Sequence, residues 1–359
     1  MKIAVIGSGI SGLSAAYFLS KKFKVDLFEK EDHFGGHSFT YDIKEHDKVT
    51  PVDLGFIVFN KITYPNLVKF FEDLNVPYEK SDMSFSVSIK NTNIEYCGSG
   101  LGGIFTNKSN LFNFKFLKMI KEIISFYKIA PTLLEKNIKD QSLGEFLNDK
   151  KLSKYFIDYH LIPMVAAIWS MPFSKAKEMP IKFFLNFFTN HGLFKLKNRP
   201  QWYTVSNRSR TYVSKIISQI SGEHYKNYNV TKIKRKSTGL DLYYGGESEF
   251  FDYDKVILAT HADEALKLIE NPTEDEKNIL SNFNYKENIA YIHTDQRAMP
   301  KNKKAWSSWN SSIDDKNLDK NSITYWLNLL QNLKCDENIF LTLIPYFKID
   351  EKKILKKVK

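Results

Sequence analysis

The chain has 359 residues, 43% hydrophobic and 26% charged, a globular mix that excludes a disordered, collagenous or simple-repeat protein and suffices for about two domains. The net charge of +11 rests on Lys. Only Arg199, Arg208, Arg210, Arg235 and Arg297 carry the planar fork suited to phosphates and base edges, so no nucleic-acid partner is expected.

Two cysteines, Cys97 and Cys335, exclude a disulfide framework and a Cys-rich zinc site, and point to a reduced, cytoplasmic compartment. Residues 1–10 are apolar, but Gly7 and Gly9 interrupt them and no cleavage site follows, so no targeting segment is expected. The longest apolar run, Leu161 to Trp169, contains Pro163 and falls short of the ~20 residues that span a bilayer. Membrane association would be limited to peripheral contact.

Residues 2–6 (Lys-Ile-Ala-Val-Ile) read as a buried strand, followed at once by Gly7-Ser8-Gly9-Ile10-Ser11-Gly12 and an Ala- and Leu-rich helix. Residues 23–28 read as a second strand ending at Glu29. Each glycine has a mechanical task. Gly7 permits a tight turn, Gly9 lets a pyrophosphate approach the backbone, and Gly12 lets the helix pack on the strand. The positive end of the helix then faces the phosphates. Glu29 stands about twenty residues on, where a carboxylate accepts hydrogen bonds from an adenosine ribose. The order strand, glycine turn, helix, strand and acid predicts a dinucleotide site.

Lys30 follows, and then Phe34-Gly35-Gly36-His37-Ser38-Phe39-Thr40. A second glycine pair suits a cofactor longer than NAD, whose far half runs back past this loop. These motifs resemble the flavin-containing amine oxidase superfamily, with His37 where the family usually has a base, and Val52-Asp53-Leu54-Gly55 similar to its next strand. A bacterial subfamily of FAD-dependent oxidoreductases is closer still. The segments 55–60, 63–67, 81–88, 199–202, 259–263, 305–310 and 324–326 look like it, so the resemblance runs almost from end to end.

The resemblance implies an α/β protein: a Rossmann-like FAD-binding domain with a discontinuous α+β substrate domain, amine oxidase-like. It implies FAD as cofactor, held without a covalent bond by Gly7, Gly9, Ser11, Gly12, Glu29, Lys30, Gly35, Gly36, His37 and the backbone of Val230. The activity implied is hydride transfer from a substrate carbon to flavin. The alternatives are a flavin-dependent desaturase or isomerase acting on a lipid chain, or a truncated, non-catalytic flavoprotein. The partner is a small-molecule or lipid-like substrate.

Along the chain, residues 1–85 form the first part of the FAD-binding domain and 86–200 a helical insertion of the substrate domain. The second match to the glycine pattern, Gly98 to Gly103, lacks a preceding apolar strand and reads as a loop. Phe116, Leu117, Ile120, Ile123, Ile124 and Tyr127 recur at helical spacing, and Ser142 with Glu145 reads as a capping box. Phe183, Phe184, Phe187, Phe188, Phe194, Lys195 and Lys197 suit either an interfacial helix or a core helix. Residues 201–285 resume the FAD-binding domain: a helix over 212–220, a three-stranded meander with turns at Thr238-Gly239 and Gly245-Gly246, a buried strand over 255–259, and a helix capped by Asp263. Residues 286–345 form the sheet of the substrate domain. The superfamily completes its flavin site with a C-terminal glycine-rich strand and helix. No such motif follows Phe340 to Ile344, so the basic end 346–359 reads as truncated.

Catalytic residues stay unassigned. Tyr291, His293, Trp306, Trp309, Tyr325 and Trp326 fit either an aromatic cage over the flavin or sheet packing. His293 is a general base or a packed strand histidine. His37 lies on the flavin side or in a solvated loop. His33 and His37 are four apart, but the glycines between them break any helix, so no metal site is expected.

Overall fold

Two short apolar runs nucleate the first sheet. The computed structural model describes residues 1–45, 48–136, 138–245 and 249–358. In it β1 (Lys2–Ile6) lies between β2 (Lys24–Phe28) and the strand Lys255–Leu258, all parallel, with His224–Tyr225 outside β2. Both faces of β1 and β2 are buried, which is why these strands are apolar runs rather than alternating ones. On one face, Ile3, Val5, Val25 and Leu27 pack against α1 (Ile10–Ser20) and the helices Pro65–Asp73 and Arg210–Ile217. On the other, Ala4, Ile6 and Phe28 pack against the antiparallel meander Val230–Arg235, Leu240–Tyr244 and Phe250–Tyr253. The chain thus has the mixed helix and sheet architecture expected, with a Rossmann-like core.

The second sheet has seven strands in the order Ile354–Val358, Ala290–His293, Phe340–Leu343, Asn317–Trp326, Trp309–Asp314, Phe85–Lys90 and Glu95–Cys97. Residues 354–358 therefore form an edge strand, antiparallel to Ala290–His293. The period of two divides every strand between two faces. On one face, Ile292, Ile323, Tyr325 and Leu341 meet Ile43 and Val52 of the hairpin Thr40–Glu45/Lys48–Asp53. Further along that face, Val87, Ile89 and Ile313 meet the helices between residues 114 and 190. The reverse face is polar inside: His293 Nε2 lies 2.7 Å from Thr342 Oγ1, which lies 2.8 Å from Thr324 Oγ1.

Several local expectations hold. The helix Phe114–Ile129 buries Phe116, Ile123 and Tyr127, and Ser142 and Glu145 form a reciprocal capping box. The Phe-rich segment is the core helix Ile181–Asn190, with Phe184, Leu185 and Phe188 buried. Others need correction. Gly100–Ile104 is one helical turn rather than a loop, because Gly103 fits against Cys97, where a Cβ would meet the thiol at 2.6 Å. His261, not Asp263, is the residue before the helix Ala262–Leu268; Asp263 sits inside its first turn. The turn at Gly245-Gly246 lies partly outside the described residues, with Gly245 at φ 60°.

Two buried histidines tie this fold to pH. His160, in a single π-turn (Ile157–Leu161), lies between Tyr96 Oη at 3.0 Å and Tyr127 Oη at 2.8 Å. Tyr96 Oη donates to the Tyr159 carbonyl, so it accepts from Nδ1–H, and Tyr127 donates to Nε2. Burial pushes the His160 imidazole down to about 3 and that of His293 to about 4, the latter partly offset by Asp295. Both folded values lie below the unfolded one. The unfolded chain therefore takes up protons first as pH falls below about 6.5, and stability, full above that pH, is lost towards pH 4. Between pH 7 and pH 5 the loss should be of order 2 kcal/mol for each histidine, read from urea midpoints. His160→Gln should be less stable at pH 7 but show a shallower acid slope; an unchanged slope would overturn the assignment.

Candidate functional site

The turn after β1 is set by contact. Gly7, at φ 95°, donates its N–H to the Phe28 carbonyl at 2.9 Å. A Cβ on Gly12 would stand 1.8 Å from the Gly7 carbonyl oxygen, so α1 can begin here only if residue 12 has no side chain. Ala259, just past the strand Lys255–Leu258, closes the other side, within 2.6 Å of a Cβ on Gly7. α1 then opens on Gly9 with no side-chain cap and no acid in its first turn. A Cβ on Gly9 would meet nothing within 4 Å, and one on Gly36, at φ 54°, would stand 3.0 Å from the Gly9 Cα. The two glycines face each other beside an uncapped helix start. That open, backbone-lined cradle has the donor set and space that a pyrophosphate requires.

Glu29 stands behind the cradle and is almost fully buried. Its Oε2 accepts from the Ser8 N–H at 3.0 Å and the Ser8 hydroxyl at 2.5 Å, and its Oε1 from the Glu31 N–H at 3.1 Å. The Ser8 Oγ in turn accepts from the Gly35 N–H at 3.0 Å. One carboxylate and one hydroxyl thus join the first glycine turn, the end of β2 and the second glycine pair. Ser8 was missed in the sequence, where Ser11 drew attention; Ser11 is exposed in the first turn of α1. Its place between Gly7 and Gly9 marks Ser8 in the sequence, but its tie to Gly35, 27 residues on, shows only in the fold.

The remaining expected residues lie around this core. Lys30 reaches away to Glu264 at 2.7 Å, and that bond raises its pKa. His37 is exposed; its ring lies 6.3 Å from that of His261, which stacks on Tyr285 at 4.2 Å. Val230 is buried at the start of the meander beside Phe28. Its neighbour Tyr228 donates its N–H to the Glu29 carbonyl at 2.9 Å, which brings the meander to the same corner.

Asp53 anchors the second wall. It is buried and accepts from Thr40 Oγ1 at 2.6 Å, the Ser209 N–H at 2.9 Å and the Ser209 hydroxyl at 2.7 Å. Burial raises its pKa despite these donors. The Gln331 amide clamps the Asp53 backbone, accepting from its N–H at 2.9 Å and donating to its carbonyl at 2.8 Å. Leu54, Ile57 and Val58 follow, and they pack with Met83, Trp309 and Tyr325 on one face of the seven-stranded sheet.

The six aromatic and histidine residues do not form one cage. Trp309 and Tyr325 share that face, with ring centroids 4.6 Å apart. Trp306, Trp326 and His293 cluster around Phe340 on the reverse face, because strand neighbours alternate. His293 is fully buried there and hydrogen-bonded at both nitrogens, as a packed strand histidine. The Trp309 Nε1 is buried without a partner, one of few such atoms among the described residues.

Comparison with known proteins agrees with this geometry. Residues 5–74 match the model of an NAD(P)-binding Rossmann-like domain. Prenylcysteine oxidase 1 of Rattus norvegicus is 48% identical over 50 residues, 13% of this chain and 10% of that protein. The chain therefore matches about a tenth of the length of its curated relatives. Among solved structures, an oxidoreductase from Methanosarcina mazei superposes with a TM-score of 0.62 at 15% identity, covering 97% of this chain and 79% of that one. A putrescine oxidase variant gives 0.67 at 15%, covering 98% and 76%. A CLA-producing fatty acid isomerase from P. acnes gives 0.64 at 13%, covering 98% and 78%. The chain shares the fold of these oxidoreductase and isomerase structures, built on a Rossmann-like start.

The glycine contacts separate folding from binding. Gly12→Ala should destabilise the protein without cofactor by several kcal/mol, since backbone must move to admit the methyl. Gly9→Ala should cost less than about 1 kcal/mol, having open space, yet weaken dinucleotide binding by about tenfold or more. Thermal melts and a fluorescence titration with FAD check both. Equal effects of the two substitutions on stability would contradict the geometry.

Proposed function

We propose that this protein is an FAD-dependent oxidoreductase of the amine oxidase type, taking hydride from a substrate carbon. The observation that carries the reading is the cradle of Gly9 and Gly36 at the uncapped start of α1, with Glu29 locked behind it. In this reading Gly7, Gly9, Ser11 and Gly12 hold the pyrophosphate, and Glu29 uses its remaining lone pairs for the adenosine ribose. Lys30 lies at the rim, and the Val230 backbone borders the adenine. Gly35, Gly36 and His37 run beside the flavin half, which a plain NAD site would not need. Bound FAD supplies the hydride acceptor. The chain's own residues bind it, orient it and keep water from it.

The wall of Ile57, Val58, Met83, Trp309 and Tyr325 is the proposed substrate side. It is mostly apolar: the Tyr325 hydroxyl is bonded to Ser170, and the unpartnered Trp309 N–H can donate to one polar group of a substrate. That apolar character favours a second reading, a desaturase or isomerase acting on a lipid chain. We assign residues 1–85 and 201–285 to the FAD-binding domain, 86–200 and 286–345 to the substrate domain, and 346–359 to its basic end. No helix among the described residues is long and apolar enough to cross a membrane. The low cysteine count supports a reduced, cytoplasmic setting.

The purified protein should bind FAD, released to the supernatant by acid, and Glu29→Ala should lose a charge-assisted bond worth about 1.5–3 kcal/mol, roughly tenfold or more in affinity. Anaerobic bleaching of the flavin band by amines supports the leading reading. Isomerisation or desaturation of an unsaturated fatty acid supports the second. Failure to bind FAD at all would remove both.

A further inference from the structure

Most phenylalanines of this chain are packed, but Phe112 is 84% exposed and Phe114 85%, with Leu101 at 76% and Leu111 at 46% nearby in sequence. These side chains sit on a defined turn. The Asn107 side chain accepts from the Ser109 N–H at 3.1 Å at the start of the 3-10 helix Lys108–Phe112. The Asn113 side chain accepts from the Phe116 N–H at 3.2 Å at the start of the helix Phe114–Ile129. Phe116, two residues on, is fully buried and anchors that start. The two exposed rings therefore flank a capped junction whose backbone is fixed.

The charge around them has one sign. From Gly98 to Lys121 the chain carries Lys108, Lys115, Lys118 and Lys121 and no Asp or Glu. Next to this stretch, Asn302 donates its side-chain amide to the Thr106 carbonyl at 2.8 Å, bringing exposed Lys301, Lys303 and Lys304 alongside. The nearby acids are engaged: Glu95 accepts from the Lys301 and Asn302 N–H groups, and Glu122 accepts from Ser153 and pairs with Lys118 at 3.9 Å. An apolar tip ringed by lysines suits the boundary between acyl chains and anionic headgroups. A second copy of the chain would set lysine ring against lysine ring, and a nucleic acid would find Lys point charges and no Arg fork.

We propose that the face formed by Leu111, Phe112 and Phe114 docks on an anionic lipid bilayer, with the rings in the acyl boundary and Lys108, Lys115 and Lys121 on the headgroup phosphates. The contact is independent of the dinucleotide cradle and needs no bound FAD.

The probe is sedimentation with vesicles of phosphatidylcholine containing about one third phosphatidylglycerol, compared with phosphatidylcholine alone. The protein should bind the anionic vesicles at low salt and release as salt rises. The double variant Phe112→Ser/Phe114→Ser should bind at least about tenfold more weakly, with an unchanged thermal melt, because both rings are exposed. In a separate variant, Phe112→Trp, the indole emission should shift to the blue on adding anionic vesicles. The proposal is overturned if the wild-type protein ignores anionic vesicles, or if the serine variant binds them equally. It is also overturned if those serines instead dissolve a dimer seen by light scattering, or if single-stranded RNA binds and the vesicles do not.

Discussion

The approach of α1 to the turn after β1 decides most of what surrounds it. A Cβ at residue 12 would come within 1.8 Å of the Gly7 oxygen, so the helix begins against the strand end itself. That closeness aims the first-turn amides of α1 past Gly9 rather than into the sheet. It also fixes Ser8 at a point where one hydroxyl reaches both Glu29 and Gly35. A buried carboxylate is costly unless its oxygens are bonded, and here the turn itself supplies the donors. The acid expected to face a ribose is thus first a brace of the loop, and any ligand hydrogen bond is added to a carboxylate already held in place.

A similar economy operates at Asp53. The residue joins the hairpin at Thr40, the helix Arg210–Ile217 through Ser209, and, through Gln331, the turn Leu327–Leu330 that follows the sheet strand Asn317–Trp326. These links cross between the nucleotide sheet and the sheet bearing Trp309 and Tyr325. The wall at Ile57 and Val58 leaves this junction within five residues, so its position relative to the cradle depends on buried hydrogen bonds, which tolerate little displacement.

The nucleotide half of the fold was legible because each step there is local. An apolar run, three glycines, a helical period and one acid follow within thirty residues, and every one has a steric or electrostatic reason. The meander and the strand Lys255–Leu258 were legible for the same reason, from turn residues and short apolar runs. Ser8 was not, because its role depends on Gly35, far along the chain. The aromatic set stayed open between a cage and sheet packing because the sequence does not state strand register. Only the pairing of Trp309 with Tyr325 and of Trp326 with Phe340 divides it between two faces. The Asp263 cap failed by two positions: His261 already holds the extended conformation that a residue before a helix adopts, at ψ 151°.

The charge of the protein divides along similar lines. All five arginines are engaged within the chain: Arg199 with the Lys195 carbonyl, Arg208 with that of Pro51, Arg210 with Asp42, Arg235 with Glu276 and Arg297 with Asp295. Lys30, the basic residue nearest the cradle in sequence, is paired with Glu264. Attraction for an anion at the cradle therefore comes from helix amides, whose reach is about a turn and whose direction is fixed. The lysine surplus has a different character. It sits on long, mostly exposed side chains, and it is felt over roughly a Debye length, about 10 Å at ordinary salt. Fixed dipoles select a ligand by position, while exposed ammonium groups select a surface by charge. A single positive total of +11 thus covers two unlike devices, and only the second contributes to it.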